Sequence, residues 1–590
     1  MKVYKDFIAF YQGLSTDLSA RDRRISMYRF TLMLAAIALS YQYYESGRGI
    51  LLTGTILILV AFALLIRKHS ATRWENKLAK AKISINEEEL SYLNEGKLPF
   101  GNGKEFVDST HDYSYDLDFF GDHSLFQHLN RTGTITGKKV LADSLLHILP
   151  KEEILKNQEA VNELKDQIEW RQEILALARI KQDSTESLED LIQWSRKKPA
   201  KIPGIIHFIS YVSPVVILIT LSFYLFASNE MMGRISFLLS LINLGAVSSM
   251  FRSIKNELMT TTRIEQILKQ YSFLFRQIEN THFHSEKLQQ LKQRLTQSNH
   301  KASSSIHQLS LLFGRLEHVQ NVFAAPILNG LALYHLHVLR GLSNWRKNYA
   351  AHVEDWLKVI GEFEKYSSLA NFSYNNPDFT FPEVNDNQEL SFEELGHPLI
   401  QQESSVTNSI HFQPHSFFIL TGSNMSGKST FLRTLGINMV LAGIGAPVYA
   451  KKASIFPLPV VVSMRLSDSL TDSESYFYAE VKRLKYIMDR LKTQACFVLL
   501  DEILRGTNSD DKRNGTIEVI KKMADKNVFG GIATHDLEVC NVASDYPKRL
   551  TNKRFEVEII DDELVFDYKL RDGVCQNKSA SFIMKKMEVI

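Results

Sequence analysis

The chain has 590 residues, which is too long for one hydrophobic core, so we expect about two to four domains. A hydrophobic content of 44% and a charged content of 23% are typical of a globular protein, and a formal net charge of +3 does not by itself indicate a nucleic-acid partner. The cysteines Cys496, Cys540 and Cys575 are widely spaced and form no Cys-x-x-Cys pair, which argues against a disulfide framework or a zinc site.

The first predicted element is an amphipathic helix over residues 1–24, with Tyr4, Phe7 and Tyr11 on one side. Its first residues lack an uninterrupted apolar stretch followed by small residues, so we expect no removable signal peptide. The helix ends in a basic cluster, which directly precedes an apolar stretch.

Two pairs of apolar runs follow: residues 30–44 with 50–66, and residues 205–227 with 235–250. The runs of the first pair are shorter than the roughly 20 residues of a spanning helix, which leaves two buried helices of a soluble protein as the alternative. Because the pattern repeats, and because His207 is the only potentially charged side chain of 205–227, we predict two membrane hairpins, 25–70 and 205–250.

Basic residues lie outside both apolar pairs, whereas the connecting turns hold only Arg48 and Arg234. The flanking residues are Arg21, Arg23, Arg24, Arg29, Arg67, Lys68, Arg73, Lys77, Arg196, Lys197, Lys198, Lys201, Arg252 and Lys255. The positive-inside tendency therefore predicts a multi-pass protein of the cytoplasmic (inner) membrane, with both termini in the cytoplasm. Between and after the hairpins, residues 71–204 and 251–376 show helical periodicity and are predicted to form one core of long helices.

Residues 416–434 contain the strongest motif, a strand pattern that breaks into a Gly-x-x-x-x-Gly-Lys-Ser loop and resumes as a helix. Such a loop directs backbone N–H groups and a helix N-terminus at phosphate oxygens. Lys428 is predicted to reach the β- and γ-phosphates, and Ser429 to hold Mg²⁺. The predicted nucleotide-binding residues are Gly422, Ser423, Asn424, Met425, Ser426, Gly427, Lys428, Ser429 and Thr430.

Two further strand patterns end in chemically useful groups. The apolar run from Cys496 ends in Asp501 and Glu502, and a P-loop ATPase needs such acids beside its phosphate strand. We predict Asp501 in the Mg²⁺ shell and Glu502 as the group that polarises the attacking water. A later run ends in Thr534 and His535, whose imidazole is a candidate contact to the γ-phosphate or the water. Alone, each pattern also fits an ordinary buried strand followed by a polar loop.

Taken together, these motifs resemble the ATPase domain of the MutS family of DNA mismatch-repair proteins, which are relatives of ABC-type ATPases. The similarity includes Gly422 to Arg433, Asp501 to Thr507 and Ala533 to His535, and extends to the Leu395-Gly-His-Pro-Leu-Ile400 segment. Residues 116–146 and 353–370 resemble the core and lever segments of the family. The resemblance implies an ATP- and Mg²⁺-dependent ATPase that forms a homodimer and binds DNA. It covers about three-quarters of the chain, with its specific motifs in the ATPase part.

The resemblance also implies a contact across the dimer interface. In the family, a loop ending in Ser-Thr-Phe delivers its serine to the ATP of the other subunit, and here Ser475-Tyr476-Phe477 lies at that position. Ser475 is therefore the predicted trans contact. The chain departs from the pattern at Ser473-Glu474, where the family has Gly-Arg, and at Tyr476. From the residues alone, this stretch is a polar loop before an amphipathic helix.

The prediction is thus an α+α/β fold with membrane helical hairpins, a long-helix core/lever domain and a C-terminal ABC-type P-loop ATPase domain. The predicted boundaries are 1–24, 25–70, 71–204, 205–250, 251–376 and 377–590. A mismatch-repair MutS begins with a domain whose Phe-x-Glu motif reads the mismatch, whereas here a predicted hairpin stands at the start.

Three function classes follow. The first is a membrane-anchored, ATP-switched DNA-binding protein, favoured by the resemblance and by basic helices such as 287–301. The second is a membrane ATPase acting on a protein or lipid, and the third, least favoured, is a transporter. A DNA-binding measurement separates the first two.

Overall fold

The computed structural model describes residues 1–181, 183–296, 301–318, 324–465, 476–560 and 563–576. Two long helices open the chain, α1 (Lys2–Ser46) and α2 (Gly49–Glu95). Gly47, at φ 63°, ends α1 and donates its N–H to the Tyr43 carbonyl, which lets the chain reverse within two residues. At 1.5 Å per residue each helix is about 70 Å long, so the pair projects well beyond a single domain core.

The α1–α2 hairpin changes character along its length. In the half that is farther from the turn, polar contacts join the two helices. Ser15 donates to Asn76 at 2.7 Å, and Asp22 pairs with His69 at 2.6 Å and with Arg73 at 3.0 Å. Arg29, 2.6 Å from His69, is the last of these contacts toward the turn. Beyond it, the large apolar side chains of both helices point outward.

Both helices run without a break through positions 24 and 70, where the sequence pattern suggested boundaries. The reason is that polarity changes along each helix while the backbone hydrogen bonding continues, so a change of composition does not end the element.

The helical core follows. Its first helices are α3 (Leu125–Leu129), α4 (Ile135–Ser144), α5 (Lys151–Lys165), α6 (Ile168–Arg179) and α7 (Thr185–Arg196). The second apolar pair forms α8 (Gly204–Ala227) and α9 (Glu230–Ser249). The core then continues with α10 (Phe251–Asn280), α11 (Glu286–Arg294), α12 (Ala302–His318), α13 (Ala324–Ala332), α14 (Tyr334–Tyr349) and α15 (Val353–Asn375).

Helix α15 is the centre of this core, because 17 of its 23 residues are buried. One of its faces also carries polar groups that hold the preceding elements. Glu364 accepts the Gly133 N–H at 2.7 Å, and Asn371 and Asn375 donate to Glu89 of α2 at 3.0 and 3.1 Å. Glu89 forms a buried ion pair with Arg131. The helix that leads into the C-terminal region is thereby fixed to the base of the first hairpin.

The C-terminal region contains the strands. They are β1 (Glu383–Val384), β2 (Leu390–Leu395), β3 (Asn408–Phe412), β4 (Phe417–Thr421), β5 (Lys452–Ile455), β6 (Val460–Ser463), β7 (Cys496–Asp501), β8 (Val528–Thr534), β9 (Leu550–Arg554), β10 (Val557–Ile560), β11 (Glu563–Phe566) and β12 (Arg571–Asp572). Its helices are α16 (Lys428–Gly443), α17 (Tyr476–Arg490), α18 (Ser509–Ala524) and α19 (Val542–Asp545).

Within the described residues the strands form three sheets: β1-β5-β2-β3, the antiparallel pair β10-β11, and a six-stranded sheet of order β12-β9-β4-β8-β7-β6. In the six-stranded sheet the neighbours from β9 to β6 are parallel, and β4, β7 and β8 are buried along their whole length. The predicted combination of a helical part with a C-terminal α/β part is confirmed.

Among the described residues, three helices are long and apolar enough to cross a membrane: α2, α8 and α9. The sequence pattern suggested four such segments. The remaining one, within α1, falls short because Gln42 and the tyrosines Tyr41, Tyr43 and Tyr44 make its end more polar than the other runs. Exposed apolar side chains nevertheless extend over this half of α1 as well, including Met33, Leu34 and Ile37.

Candidate functional site

The site lies at the carboxyl edge of the six-stranded sheet. Thr421 at the end of β4 is level with Thr534 of β8, and Ala533 is level with Asp501 of β7. The segments that follow these three strands therefore meet at one edge, where α/β proteins bind ligands.

The acids were expected beside the phosphate strand, but β8 lies between β4 and β7. A side chain on either glycine of β8 would collide with its neighbours: a Cβ at Gly530 would lie 2.0 Å from the Val498 carbonyl oxygen, and one at Gly531 would lie 2.4 Å from the Phe418 ring.

The 422–427 loop joins β4 to α16 through a tight turn. Met425 and Gly427 have φ values of 66° and 96°, so the chain curls tightly before α16 begins at Lys428. At Gly422 an added Cβ would lie 2.5 Å from Ser426 Oγ and 3.2 Å from the Phe555 carbonyl oxygen. The loop thus has no room for a side chain at its first position.

Lys428 is buried at the start of α16, with its ammonium group folded back over the loop. Nζ donates to the carbonyls of Gly422 and Ser423 at 3.0 Å each, and lies 3.4 Å from His535 Nε2. Burial lowers the pKa of this lysine from its usual value. The cation is held at the loop and oriented toward the neighbouring strand ends.

Two further pairs complete the cluster. Ser429 donates to Asp501 Oδ2 at 2.6 Å, which joins the first turn of α16 to the end of β7. Glu502 Oε1 lies 2.7 Å from His535 Nε2. Hydrogen bonding to His535 lowers the pKa of Glu502 to about 2, with Arg505 and Lys512 acting in the same direction. Glu502 is therefore a carboxylate throughout the physiological pH range.

Glu502 has a backbone conformation that is rare for a residue with a side chain, at φ 48°. Its N–H donates to the Ala533 carbonyl at 3.0 Å, which extends the β7–β8 ladder by one bond past Asp501. The backbone thus turns immediately after Asp501, and this turn directs the two adjacent acids to different partners, Ser429 and His535.

A cavity of about 440 Å³ opens beside the cluster, within the size range of small-molecule sites. It is lined on one side by residues 424–431, Glu502 and His535, and on the other by Val406, Asn408 and Tyr568. The hydroxyls of Ser423 and Ser426 are buried beside it without a hydrogen-bond partner among the described residues. Buried orphan hydroxyls, a confined glycine and a buried cation suit a phosphate ligand with a divalent metal.

Every described residue of the predicted set lies at this loop or its neighbouring strand ends. Asn424, Met425, Ser426, Gly427, Lys428, Ser429, Thr430, Glu502 and His535 line the cavity, while Gly422 and Ser423 accept from Lys428, and Asp501 accepts from Ser429. Ser475, the predicted trans contact, lies outside the described residues.

Three further residues contact or adjoin the site, and only His397, in the Leu395–Ile400 segment, belongs to a sequence pattern named above. Tyr568 has its ring over the loop, because a Cβ at Gly427 would lie 3.0 Å from it, and its carbonyl accepts from Asn408 Nδ2 at 2.9 Å. Glu480 of α17 accepts the N–H groups of Leu504 and Arg505 at 2.7 and 3.0 Å. His397 is half-buried near Arg433, and desolvation lowers its pKa to about 4. No short-range pattern marks a lone tyrosine or glutamate of this kind.

The helical core contacts the site through the segment before α3. Asp116 Oδ1 accepts the N–H groups of Met464 and Arg465 at 2.7 Å each. Asp118 pairs with Arg433 of α16 at 3.2 Å and with Arg465 at 2.6 Å. The segment that contains Asp116 and Asp118 therefore contacts both α16 and the residues directly before 466–475.

Comparison with known proteins agrees with this geometry. Residues 418–589 match the family model for MutS domain V. The C-terminal region of this chain is thus similar to domain V of the MutS family. The expected similarity of the helical part to the family stays a prediction.

Individual relatives match over the same part. The chain is 30% identical over 242 residues to MutS protein homolog 4 of Homo sapiens, covering 39% of this chain and 25% of that protein. It is 29% identical over 232 residues to DNA mismatch repair protein MutS of Thermotoga neapolitana, covering 38% and 28%. The corresponding protein of Methanococcoides burtonii is 30% identical over 236 residues, covering 38% and 26%. The chain thus matches about a quarter of the length of these relatives.

Proposed function

We propose that this chain is a MutS-type ATPase that binds ATP with Mg²⁺ at the 422–427 loop and hydrolyses the γ-phosphate. The observation that carries the proposal is the joint placement of Lys428, the Ser429–Asp501 pair and the Glu502–His535 pair around one cavity. Each pair joins residues that are far apart in sequence, and each has a distinct use in phosphoryl transfer.

In this proposal Lys428 offsets the charge of the β- and γ-phosphates, and the loop N–H groups contact their oxygens. Ser429 and Asp501 hold Mg²⁺, which supplies Lewis-acid stabilisation of the phosphate oxygens. Glu502 orients and polarises the attacking water as a permanent carboxylate, since its low pKa makes it a weak proton acceptor. His535, between Lys428 and Glu502, contacts the γ-phosphate or that water, and Tyr568 offers an aromatic face to the base.

Two variants of the full chain in detergent test this assignment. Lys428→Ala removes the cation and is expected to abolish nucleotide binding. Glu502→Gln keeps the shape of the site and is expected to retain ATP while hydrolysis falls by about a hundredfold or more. For His535→Ala we expect an intermediate loss of ATPase activity. Equal turnover in wild type, Lys428→Ala and Glu502→Gln would reject the site.

We further propose a homodimer in which Ser475 contacts the ATP of the partner. Support comes from the resemblance of the segment, and from Phe477, which packs against Gly506 just beyond the acids. ATPase rate per subunit should then rise with protein concentration. A mixture of Ser475→Ala and Lys428→Ala chains should recover only part of the activity, whereas a constant rate from a verified monomer would reject the contact.

We propose that both hairpins are embedded in the cytoplasmic membrane, with the ATPase region in the cytoplasm. Support comes from the abrupt change at Arg29 and His69, beyond which α1 and α2 expose apolar side chains, and from the similar exposure of α8 and α9. Cysteines introduced at Gly47 and Glu230, in the two turns, should be labelled only from the side opposite the ATPase. Labelling of both from the cytoplasm would instead favour helices of a soluble protein.

DNA is the proposed partner, supported by the names of the relatives, two of which are DNA mismatch repair proteins. Binding should fall steeply with salt as counterions are released, and should differ between ATP and ADP. Matched and mismatched duplexes should bind within about threefold of each other, below the tenfold given by about 1.4 kcal/mol of a dedicated base contact. A tenfold preference would reveal an overlooked reading element.

One observation favours the alternative, an ATPase acting on a protein or lipid. The basic side chains of α11, which were candidates for phosphate contacts, are engaged within the chain: Lys287 pairs with Glu153 at 2.6 Å, Lys292 donates to the Thr281 carbonyl at 2.6 Å, and Arg294 pairs with Asp355. Absence of DNA binding at low salt, in every nucleotide state, would select this alternative.

A further inference from the structure

A further uncharged stretch lies outside both predicted hairpins. Between Glu317 and Arg340 the sequence contains no Asp, Glu, Lys or Arg. The short helix α13, with the sequence AAPILNGLA, lies within this stretch. Because α13 has only 9 residues, it is too short to cross a bilayer of about 30 Å.

The end of α12, before the uncharged stretch, and the start of α14, after α13, lie next to each other. The Tyr334 hydroxyl, at the start of α14, donates to the Arg315 carbonyl of α12 at 3.4 Å, so the two helix ends lie side by side. On the same side, His337 Nε2 lies 3.0 Å from the Ser210 carbonyl oxygen, and the Arg340 guanidinium lies 4.8 Å from the Tyr211 ring centre. Helix α14 therefore begins beside the first turns of α8.

Helix α13 lies farther along the second hairpin. The side-chain N–H of Asn243, a fully buried residue in the middle of α9, donates to the Gly330 carbonyl at 2.7 Å. A Cβ at Gly330 would lie 3.6 Å from Ser240 Cβ, so the two backbones approach closely. Leu331 shares a cavity with Ile217 and Leu221 of α8. Leu333, at φ 46° and fully buried, then turns the chain back into α14.

The outer side of α13 is apolar and exposed. Ile327, Leu328 and Leu331 are 61%, 38% and 40% exposed, and Leu331 lines a cavity together with the exposed Phe237 of α9. A soluble protein rarely leaves such a patch open to water. The carbonyl of Gly330, by contrast, is satisfied by a side chain, as a broken helix at membrane depth requires.

We infer that residues 324–333 form a re-entrant membrane segment: α13 enters the bilayer beside α8 and α9, and the chain returns to the same side through Leu333. The partner of its exposed face is the acyl region of the lipid bilayer. The inference rests on the proposed membrane embedding of the second hairpin. It adds a membrane element to the helical core itself, so that the core is held at the bilayer by α12 and α14 as well as by α8 and α10.

The test uses the full chain in lipid nanodiscs, with one environment-sensitive fluorophore at a time. Leu328→Cys reports on α13, Leu241→Cys on the exposed face of α9, and Leu155→Cys, at an exposed leucine of α5, on the aqueous part. The native cysteines are buried, which allows labelling of the folded protein at the new site. Lipids with a nitroxide on the acyl chain then act as the quencher.

Quenching at Leu328→Cys should match that at Leu241→Cys and exceed that at Leu155→Cys several-fold. A Leu328→Cys signal equal to Leu155→Cys, with Leu241→Cys still quenched, would overturn the re-entrant segment and leave the hairpin intact. Equal signals at all three positions would overturn the membrane proposal as well. Ile327→Cys provides a second site on α13, and retained ATP turnover verifies folding of each labelled chain.

Discussion

The sheet edge and the apolar hairpins place polar and apolar groups in opposite ways. At the sheet edge, charged groups lie inside: Lys428 is 6% and Asp501 8% exposed, and each has a fixed partner. In the hairpins, apolar groups lie outside, with Leu57 66% and Phe226 90% exposed. The sheet edge requires particular polar atoms at particular positions, whereas the hairpins require only that their outward side chains are apolar. Substitutions should therefore act in different ways in the two regions.

The largest effect should come from Asp501→Asn. The amide keeps the size of the side chain but loses the charge that faces Ser429, so the proposed Mg²⁺ site loses its anionic ligand. We expect ATP turnover to fall by about a hundredfold or more. Turnover is measured over a Mg²⁺ titration. The matched control is Asp510→Asn, at an 87% exposed side chain on α18, which should leave turnover unchanged. Similar losses in both variants would contradict the assignment.

A second test addresses the junction between the regions, where α2 meets α15. Arg131→Met leaves Glu89 buried, with hydrogen bonds from Asn371 and Asn375 but, among the described residues, without its ion-pair partner. Loss of one member of a buried pair costs about 3–5 kcal/mol of folding free energy. We expect a large drop in the unfolding midpoint of the full chain in detergent.

The double variant Arg131→Met with Glu89→Gln should recover part of that loss, since no unpaired charge remains. Lys485→Met removes one member of an exposed pair with Asp489 and should leave the midpoint unchanged. A midpoint for Arg131→Met equal to that of Lys485→Met would show that the buried pair contributes little.

The same junction should also respond to pH. Burial raises the pKa of Glu364 from its ordinary 4.5 to about 7, against the opposing hydrogen bonds from Gly133 and Thr134. Between these values the folded chain holds a proton that the unfolded chain has released, so stability falls as pH rises from 4.5 to 7 and levels off above. The change attributable to this group is about 3 kcal/mol. Glu364→Gln should flatten the profile of unfolding midpoint against pH over this window, and an unaltered slope would contradict the assignment.

The sequence predicts different properties of the two regions, and the reason is physical. Phosphate binding and metal binding require particular residue types at fixed spacings, so the sequence alone identifies Lys428, Ser429, Asp501 and Glu502 as candidates. Their surroundings depend on long-range packing. Strand order, which puts β8 between β4 and β7, and the placement of Tyr568 over Gly427 leave no local pattern.

In the hairpins the opposite holds. Composition predicts their existence, and three of the four apolar runs lie in helices fit to cross a membrane. Their limits are not predictable in the same way, because α1 and α2 continue through the change in polarity. Helix α13 is not predicted for a related reason: it has only 9 residues, and its position beside α9 becomes visible only in the contacts of Gly330 with Asn243 and Ser240.

The smallest predicted effect is that of Gly54→Ala in the first hairpin, and the same substitution at Gly422 of the site serves as its comparison. In α2, a Cβ at Gly54 would meet only Leu39 Cδ1, at an ordinary 3.5 Å, and the residue lies within a continuous helix. Gly54→Ala should therefore gain about 0.5–1 kcal/mol of helix propensity and raise the unfolding midpoint slightly, with ATP turnover unchanged. Gly422→Ala adds the same methyl group where Ser426 Oγ and the Phe555 carbonyl leave no room, so nucleotide binding should be lost. If Gly422→Ala bound ATP normally, or if Gly54→Ala destabilised the chain, the two regions would not differ in the way their packing indicates.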